Sequence, residues 1–86
     1  MIADRDRLSD VGIVLQALIR ALVDRPDEVE ISEIEGRQAT VIEVRVAPAD
    51  HGKIVGRRGR TANAIRELLM DFGGKRNRRY MLEILD

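Results

Sequence analysis

Two glycines three residues apart, Gly56 and Gly59, enclose two arginines and stand directly before a helix-forming run. Without a Cβ atom on either glycine, the backbone of such a turn can approach another chain closely. If a helix begins at Arg60, its first amide groups are expected to be unpaired donors at the positive end of the helix dipole, beside Arg57 and Arg58. These residue types, in this order, predict a site for a phosphate backbone.

Apolar residues flank the turn on both sides. Ile54 and Val55 precede it, and Ala62 and Ile65 follow it. They predict an apolar floor beside a cationic edge, which suits a nucleobase on one side and its phosphate on the other. An ordinary helix–turn–helix corner with solvated arginines is the alternative interpretation. The context of the turn favours nucleic-acid binding over that corner.

Cationic residues are concentrated around this turn, although the formal net charge of the 86-residue chain is zero. Residues 1–50 carry six arginines and eleven acidic residues, a net charge of −5, whereas residues 51–79 carry nine Lys or Arg and two acidic residues, a net charge of +7. A local basic footprint of this kind is typical of a site for a polyanion.

The composition argues against several classes of protein. The chain has no cysteine, which excludes disulfides and thiolate metal sites. No apolar run approaches the ~20 residues of a membrane span, and the charged N-terminus lacks the apolar segment of a signal peptide. We therefore expect a soluble cytoplasmic protein that does not bind a membrane and needs no metal or other cofactor.

Catalysis is not predicted either. His51 is the only histidine, and the sequence shows no Cys, and no Ser and Asp pair, at a recognisable catalytic spacing from it. The stretch 52–56 lacks the Gly-Lys-Ser/Thr ending of a phosphate-binding P-loop. Five glutamates between residues 28 and 43 are expected to form a solvated sheet surface rather than an acid–base or metal site.

Hydrophobic periodicity predicts the elements before the turn. Apolar residues at three–four spacing predict a helix from Leu8 to Val23, capped by Ser9 or Asp6 and ended near Pro26. Alternating apolar and charged residues over 29–46 predict a hairpin, with Gly36 in its turn.

The elements around and after the turn follow the same logic. A short helix is predicted over residues 49–55, and an amphipathic helix is predicted from Arg60 to Phe72, closed by Gly73 and Gly74. A basic loop over 75–79 leads to a last strand over 80–85, whose two apolar faces predict an internal or partner-covered strand. Residues 1–7 are expected to be a flexible leader, and residues 8–86 to form one domain. A domain this small gains stability from dimerisation.

The turn in this setting resembles the KH domain, in which a GXXG loop joins two helices. The extra helix and strand ahead of it resemble the type II arrangement. This implies an α+β fold in the order α-β-β-α-GXXG-α-β, with a three-stranded mixed sheet covered by helices on one face. More narrowly, the chain resembles the small stand-alone bacterial KH proteins of the KhpA (YlqC) family over about residues 8–85. The supporting stretches are Leu22–Asp27, Val44–Asp50, Gly52–Gly56 and Gly59–Arg66.

The resemblance implies a single-stranded RNA-binding protein, an RNA chaperone or post-transcriptional regulator without catalytic activity. In that family the loop faces the RNA backbone and the bases lie in a groove, whose walls would here be Ile54, Ala62, Ile65 and an edge strand near Val44. The RNA-binding residues expected on this basis are Lys53, Ile54, Val55, Gly56, Arg57, Arg58, Gly59, Arg60, Ala62, Ile65, Val44 and Arg66.

The resemblance also implies partners. Family members form homodimers or pair with a larger KH-containing protein, KhpB, in networks that affect cell shape and division.

Ala62 departs from the larger aliphatic residue that many KH domains have three positions after the second glycine, so base preference stays open. Phe72 and Tyr80 are the only aromatic residues, which argues against an aromatic stacking platform. The alternative function is a protein-interaction module whose basic turn docks an acidic partner.

Overall fold

The computed structural model describes residues 8–85, and the predicted leader, residues 1–7, lies outside them. Three helices and three strands follow the predicted order, which confirms the α+β fold class. The helices are α1 (Asp10–Leu22), α2 (His51–Val55) and α3 (Arg60–Arg76), and the strands are β1 (Glu30–Glu35), β2 (Ala39–Arg45) and β3 (Arg79–Ile84). Short 3-10 turns lie at Pro26–Glu28, Pro48–Asp50 and Arg57–Gly59.

The three strands form one mixed sheet in the order β1-β2-β3. The central strand β2 runs antiparallel to β1 and parallel to β3, so that Ile42 lies between Glu33 of β1 and Leu82 of β3. Within residues 8–85, β3 is therefore an edge strand. The prediction of an internal strand is wrong, while its alternative, a strand covered by a partner, stays a prediction. The predicted edge strand near Val44 is also wrong, because Val44 belongs to β2.

The core lies between one face of the sheet and the helices. Full burial of a large aliphatic side chain contributes about 1.5–3 kcal/mol, and the alternating and three–four patterns direct such side chains to this layer. Its buried members are Val11, Leu15, Ile19, Val23, Val29, Ile31, Ile42, Val44, Val46, Ile54, Ile65, Leu69 and Leu82. The two aromatic residues, Phe72 and Tyr80, pack against the edge of this cluster, as expected for residues that serve the core.

The start of α1 is fixed by Ser9, as predicted, while the other candidate cap, Asp6, lies outside the described residues. The Ser9 hydroxyl accepts a hydrogen bond from the Gly12 amide at 3.3 Å. The Glu33 carboxylate in turn accepts hydrogen bonds from the Ser9 amide at 2.8 Å and the Ser9 hydroxyl at 2.9 Å. Glu33 therefore joins β1 to α1 and does not belong to a solvated sheet surface.

The end of α3 differs from the prediction. The helix runs through Gly73 and Gly74 and ends at Asn77, which has a left-handed backbone with φ 53° and ψ 44°. The Arg78 amide donates to the Gly73 carbonyl at 2.9 Å, a closure typical of helix C-termini. An added Cβ on Gly73 would overlap the Arg78 carbonyl oxygen. Gly73 thus lets the chain fold back, and residues 75–76 belong to α3 rather than to a loop.

Candidate nucleic-acid interface

The turn from Gly56 to Gly59 connects α2 to α3 through three positive φ angles. Gly56 has φ 79° and ψ 169°, Arg58 has φ 56° and Gly59 has φ 75°. The Gly56 amide donates to the Gly52 carbonyl at 2.8 Å, and the Gly59 amide donates to the Gly56 carbonyl at 3.1 Å. Glycine accepts such angles at little cost, whereas an arginine in this conformation is uncommon.

Gly56 is also required by close packing. An added Cβ there would lie 2.7 Å from the amide nitrogen of Thr61 and would overlap the Thr61 side chain. At Gly59 the nearest atom to an added Cβ is Nδ2 of Asn63, at 3.9 Å. The first turn of α3 therefore lies directly against Gly56, while Gly59 is constrained by its φ angle alone.

The amide groups at the start of α3 are not all free. The Arg60 amide donates to the Arg57 carbonyl, so the prediction of an unpaired donor is wrong at this position. The 3-10 turn before the helix consumes this donor and also the amide of Gly59. The positive character of the loop therefore rests mainly on its arginine side chains.

Those side chains are open to solvent. Arg57, Arg58 and Arg60 are exposed and form no ion pair with any acidic side chain of residues 8–85. A guanidinium group presents several N–H donors in a planar fork that matches the oxygens of a phosphate. The loop thus offers three cationic donors within four residues of the chain.

Lys53, one turn before Gly56, is placed differently. Its Nζ lies 3.2 Å from Oδ2 of Asp24 and 3.6 Å from Oδ1 of Asp50. The hydrogen bond with Asp24 is the main cause that raises the pKa of Lys53 above its ordinary value. The ammonium charge is therefore offset by two carboxylates within the protein, unlike the charges of the loop arginines.

Asp50 positions α2, and therefore the turn, against the end of α1. Its carboxylate is buried and accepts hydrogen bonds from the amides of Asp24 at 3.2 Å and Arg25 at 3.0 Å. Burial alone would raise the pKa of Asp50, but these two hydrogen bonds and the charge of Lys53 outweigh it and hold the pKa below its usual value. The Asp50 carboxylate therefore serves as the hydrogen-bond acceptor for two backbone amides of the loop after α1.

The four apolar residues predicted as groove walls are core residues. Val44 and Ile54 are 0% exposed, and Ala62 and Ile65 are 3% exposed. Their side chains offer almost no surface to a ligand and instead support the turn from below. Val55, also predicted to bind RNA, is half-buried at the end of α2.

An open groove lies elsewhere, between the C-terminal half of α3 and the edge strand β3, with a volume of about 760 Å³. Both elements, their connection and the β1–β2 turn contribute to its walls. Its lining residues are Gln38, Arg66, Met70, Gly73, Gly74, Asn77, Arg78, Arg79, Tyr80, Met81 and Leu82.

This groove combines apolar and cationic groups. Met70 is 69% exposed and Met81 is 48% exposed, while Arg66 and Arg79 are exposed cations. Thioether side chains pack readily on flat aromatic groups, and guanidinium groups bind phosphates. Arg66 follows Gly59 by seven residues, about two helical turns, so the glycine turn and the groove share one side of α3.

Arg78 lines the groove but is held in place by the hairpin. Its Nε donates to the Thr40 hydroxyl and its Nη2 donates to the Gly36 carbonyl, both at 2.8 Å. Nη2 also lies 3.6 Å from the Glu35 carboxylate. Arg78 therefore fixes the connection between α3 and β3 to the β1–β2 turn that borders the groove.

Most residues of this groove are not among those predicted from the sequence, Arg66 excepted. The sequence contains one local signal for the groove. Along α3, a stripe of residues spaced four apart lies beside the buried stripe and consists of Arg66, Met70 and Gly74. Met81 and Arg79 have no such signal. Their position depends on which strand lies at the sheet edge, and strand order is a property of long-range pairing.

Two further features are absent from residues 8–85. No cluster of His, Asp or Glu side chains there is arranged to hold a metal ion. No helix of this range is long and apolar enough to cross a membrane.

Known proteins are similar in sequence to this chain. The family described as KhpA/KhpB, KH domain, matches residues 13–84. The RNA-binding protein KhpA of Borreliella burgdorferi is 51% identical over 73 residues, which cover 85% of this chain and 89% of that protein. The proteins of the same name from Caldanaerobacter subterraneus and Aquifex aeolicus are each 44% identical, over 87% and 92% of this chain and 100% of each relative.

A solved structure has a similar fold. The Era protein of Aquifex aeolicus, in a crystal structure with GDP and aluminium fluoride, matches with a TM-score of 0.61 over 98% of this chain and 31% of that chain, at 16% identity. At this identity the likeness concerns the fold alone. The match over residues 13–84 and the relatives at 44–51% identity carry the assignment: the chain belongs to the KhpA/KhpB family of KH-domain proteins.

Proposed function

We propose that this protein binds single-stranded RNA at the Gly56–Gly59 turn and in the groove between α3 and β3, which lies on the same side of α3. The observation that carries the proposal is the pair Arg57 and Arg58, exposed and free of ion pairs within the described chain, at the head of a helix that borders an open groove. Relatives at 44–51% identity bear the name RNA-binding protein, which supports the same ligand.

In the proposed complex the two parts of the site have different tasks. The arginines of the turn bind phosphates, and the two glycines allow the RNA backbone to approach the chain closely. The bases enter the groove and pack on Met70 and Met81. The buried residues Val44, Ile54, Ala62 and Ile65 and the ion-paired Lys53 support these groups from within the protein. No step of this proposal is catalytic, and we place the protein in the cytoplasm, where its proposed ligand is.

The proposed mode of binding has a physical signature. A site with three cations, namely Arg57 and Arg58 of the turn and Arg60 at the start of α3, neutralises few phosphates, and each neutralised phosphate of a single strand contributes about 0.7 to the slope of log affinity against log salt. The salt dependence is therefore shallow and the affinity of one domain is weak. Two linked domains on one RNA raise the apparent affinity without new contacts.

The decisive experiment is a salt titration of fluorescent single-stranded RNA binding. The native protein is compared with the Arg57→Asp, Arg58→Asp double variant and with a control, Arg20→Asp, Arg45→Asp, that changes the net charge equally on exposed positions away from the groove. We expect at least a tenfold loss of affinity for the turn variant, about 1.4 kcal/mol, and a much smaller loss for the control.

Each outcome of this titration has a clear meaning. Equal losses in both variants would show that only net charge matters and that the turn is not the site. If the native protein binds no RNA while it retains its fold, the proposed function is wrong, and the exposed arginines are better explained by an acidic protein partner.

We further propose that a second copy of the chain packs on the outward face of α1. Ile13, Val14 and Leu22 are 54%, 47% and 39% exposed. An apolar groove of about 410 Å³ continues this face towards α3, and the exposed Ala17 and Ala21 allow a neighbouring helix to approach. Apolar surface concentrated in this way marks interaction sites. A KhpB-like KH protein is the other occupant that mixing experiments would detect.

A further inference from the structure

The groove between α3 and β3 contains both methionines of the described chain, Met70 and Met81. The remaining methionine of the sequence is Met1, outside residues 8–85, and the chain has no cysteine. Thioether sulfur is the group in this protein that peroxides oxidise most readily. The oxidisable sulfur of the folded domain is therefore confined to the proposed RNA site.

Both sulfur-bearing side chains are accessible. Met70 is 69% exposed and Met81 is 48% exposed, whereas the other exposed large apolar residues of the described chain are branched aliphatics outside this groove: Ile13, Val14, Leu22 and Ile34. Small oxidants therefore reach both side chains without any opening of the fold. A groove built with leucine at these two positions would have similar apolar volume without this reactivity.

We propose that Met70 and Met81 are a peroxide-sensitive modification site whose oxidation reversibly weakens RNA binding; this rests on the proposed function of the groove. In the reaction the thioether sulfur attacks one oxygen of hydrogen peroxide, an S–O bond forms and the O–O bond breaks. The sulfur is oxidised to the sulfoxide, and the peroxide is reduced to water. Methionine sulfoxide reductases reverse the change.

The sulfoxide changes the groove in two ways. It replaces an apolar, polarisable surface with a polar one, so the packing of bases against the thioether is lost. In addition, Arg66 precedes Met70 by four residues and lies on the same face of α3. The sulfoxide oxygen on Met70 is an acceptor within reach of the Arg66 guanidinium and competes there with RNA phosphate.

The test compares RNA affinity before and after treatment of the intact chain with hydrogen peroxide, with peptide mass spectrometry to quantify oxidation at each site. The control is the Met70→Leu, Met81→Leu double variant, which keeps the apolar volume of both side chains. We expect peroxide treatment to raise the Kd of the native protein roughly three- to tenfold, whereas the Kd of the control, whatever its value before treatment, is expected to stay the same after treatment. Met70, the more exposed residue, is expected to oxidise faster than Met81.

Reversal and mimicry complete the test. Treatment with methionine sulfoxide reductases is expected to restore the original Kd, and Met70→Gln, Met81→Gln is expected to bind as weakly as the oxidised protein. The proposal is overturned if fully oxidised native protein keeps its affinity, or if oxidation weakens the leucine control equally. RNA binding by the untreated protein separates these failures from a failure of the proposed function, which would remove binding before any oxidation.

Discussion

At the residue scale, the two glycines of the turn carry different constraints. Gly56 combines a positive φ with close contact to the first turn of α3, whereas Gly59 has only the positive φ. Sequence spacing treats the two as equivalent members of one motif. The difference arises from Thr61, whose backbone and side chain occupy the space that a Cβ on Gly56 would fill.

We therefore predict unequal effects of alanine at the two positions. Gly59→Ala imposes a left-handed alanine and costs about 1–2 kcal/mol of unfolding free energy. Gly56→Ala adds steric overlap with Thr61 and is expected to cost about 3 kcal/mol or more. Urea unfolding at neutral pH measures both values. Equal losses would show that α3 shifts freely away from the turn.

Asp50 provides a second prediction at this scale, through pH. Because the pKa of Asp50 is lower in the folded than in the unfolded chain, its contribution to stability is complete above the unfolded pKa, about 4. The contribution is lost as the pH falls through the lower folded value. We expect the free energy of unfolding of Asp50→Asn to depend less steeply on pH below about 4 than that of the native protein.

Urea unfolding between acidic and neutral pH measures this difference. Glu67→Gln, at an exposed position of α3, is the matched control, because it also removes one carboxylate but leaves Asp50 and its partners in place. If Asp50→Asn does not fold, Lys53→Gln tests the same cluster while leaving both amide hydrogen bonds to Asp50. If the free energy of unfolding has the same pH dependence in the native protein and in Asp50→Asn, the stabilising role of the Asp50 carboxylate is contradicted.

At the element scale, α3 connects the two halves of the proposed site. Its first turn packs on Gly56, its middle borders the groove with Arg66 and Met70, and its end is held by the Arg78 amide at the Gly73 carbonyl. The helix continues through a pair of glycines because packing of its apolar stripe outweighs their low intrinsic preference for helix, about 1 kcal/mol each.

The two glycines of α3 give a matched pair of variants. Nothing lies within 4 Å of an added Cβ at Gly74, whereas one at Gly73 overlaps the Arg78 carbonyl oxygen. Gly74→Ala is therefore expected to raise the free energy of unfolding by about 0.5–1 kcal/mol, and Gly73→Ala is expected to lower it. Thermal or urea unfolding measures both. Stabilisation by both variants would mean that the helix end adapts without cost.

Elements that form through interactions between close neighbours in the sequence were predictable, and features that depend on distant residues were not. The helices and strands, and Ser9 as the cap of α1, were predictable because periodicity and capping act between close neighbours. The end of α3 at Asn77 was not, since glycines usually end helices and asparagine does so less often. The groove at β3 was also missed, because the edge position of that strand depends on pairing with β2 across more than thirty residues.

At the scale of the whole molecule, the surface has two chemically distinct regions. The turn and groove carry exposed cations and methionines on one side of α3, while the outward face of α1 is apolar and exposed. Two copies joined through α1 would leave the groove between α3 and β3 of each copy open, while Arg60, which lines the apolar groove beside α1, would lie close to the interface. Such an arrangement links two weak sites and raises their combined affinity for one strand.

This arrangement predicts that dimerisation and RNA affinity are coupled. Val14→Lys places a charge on the α1 face and is expected to convert a dimer to a monomer by sedimentation analysis. Its affinity for a long RNA is expected to fall at least tenfold, while its affinity for an RNA that spans one site changes little. Ile34→Lys, the same gain of one charge at an exposed apolar position of β1 outside the groove, serves as the control. A monomeric native protein would contradict the proposal.

The two edges of the sheet differ in a way that concerns solubility. The β1 edge carries the exposed Glu30 and Glu35, and charges of this kind discourage the addition of a foreign strand. The β3 edge alternates few charges with Met81, Leu82 and Ile84 and borders the groove. An RNA strand bound in the groove would cover the β3 edge, which has less charge to discourage strand addition. The bound RNA would therefore also reduce aggregation through this edge.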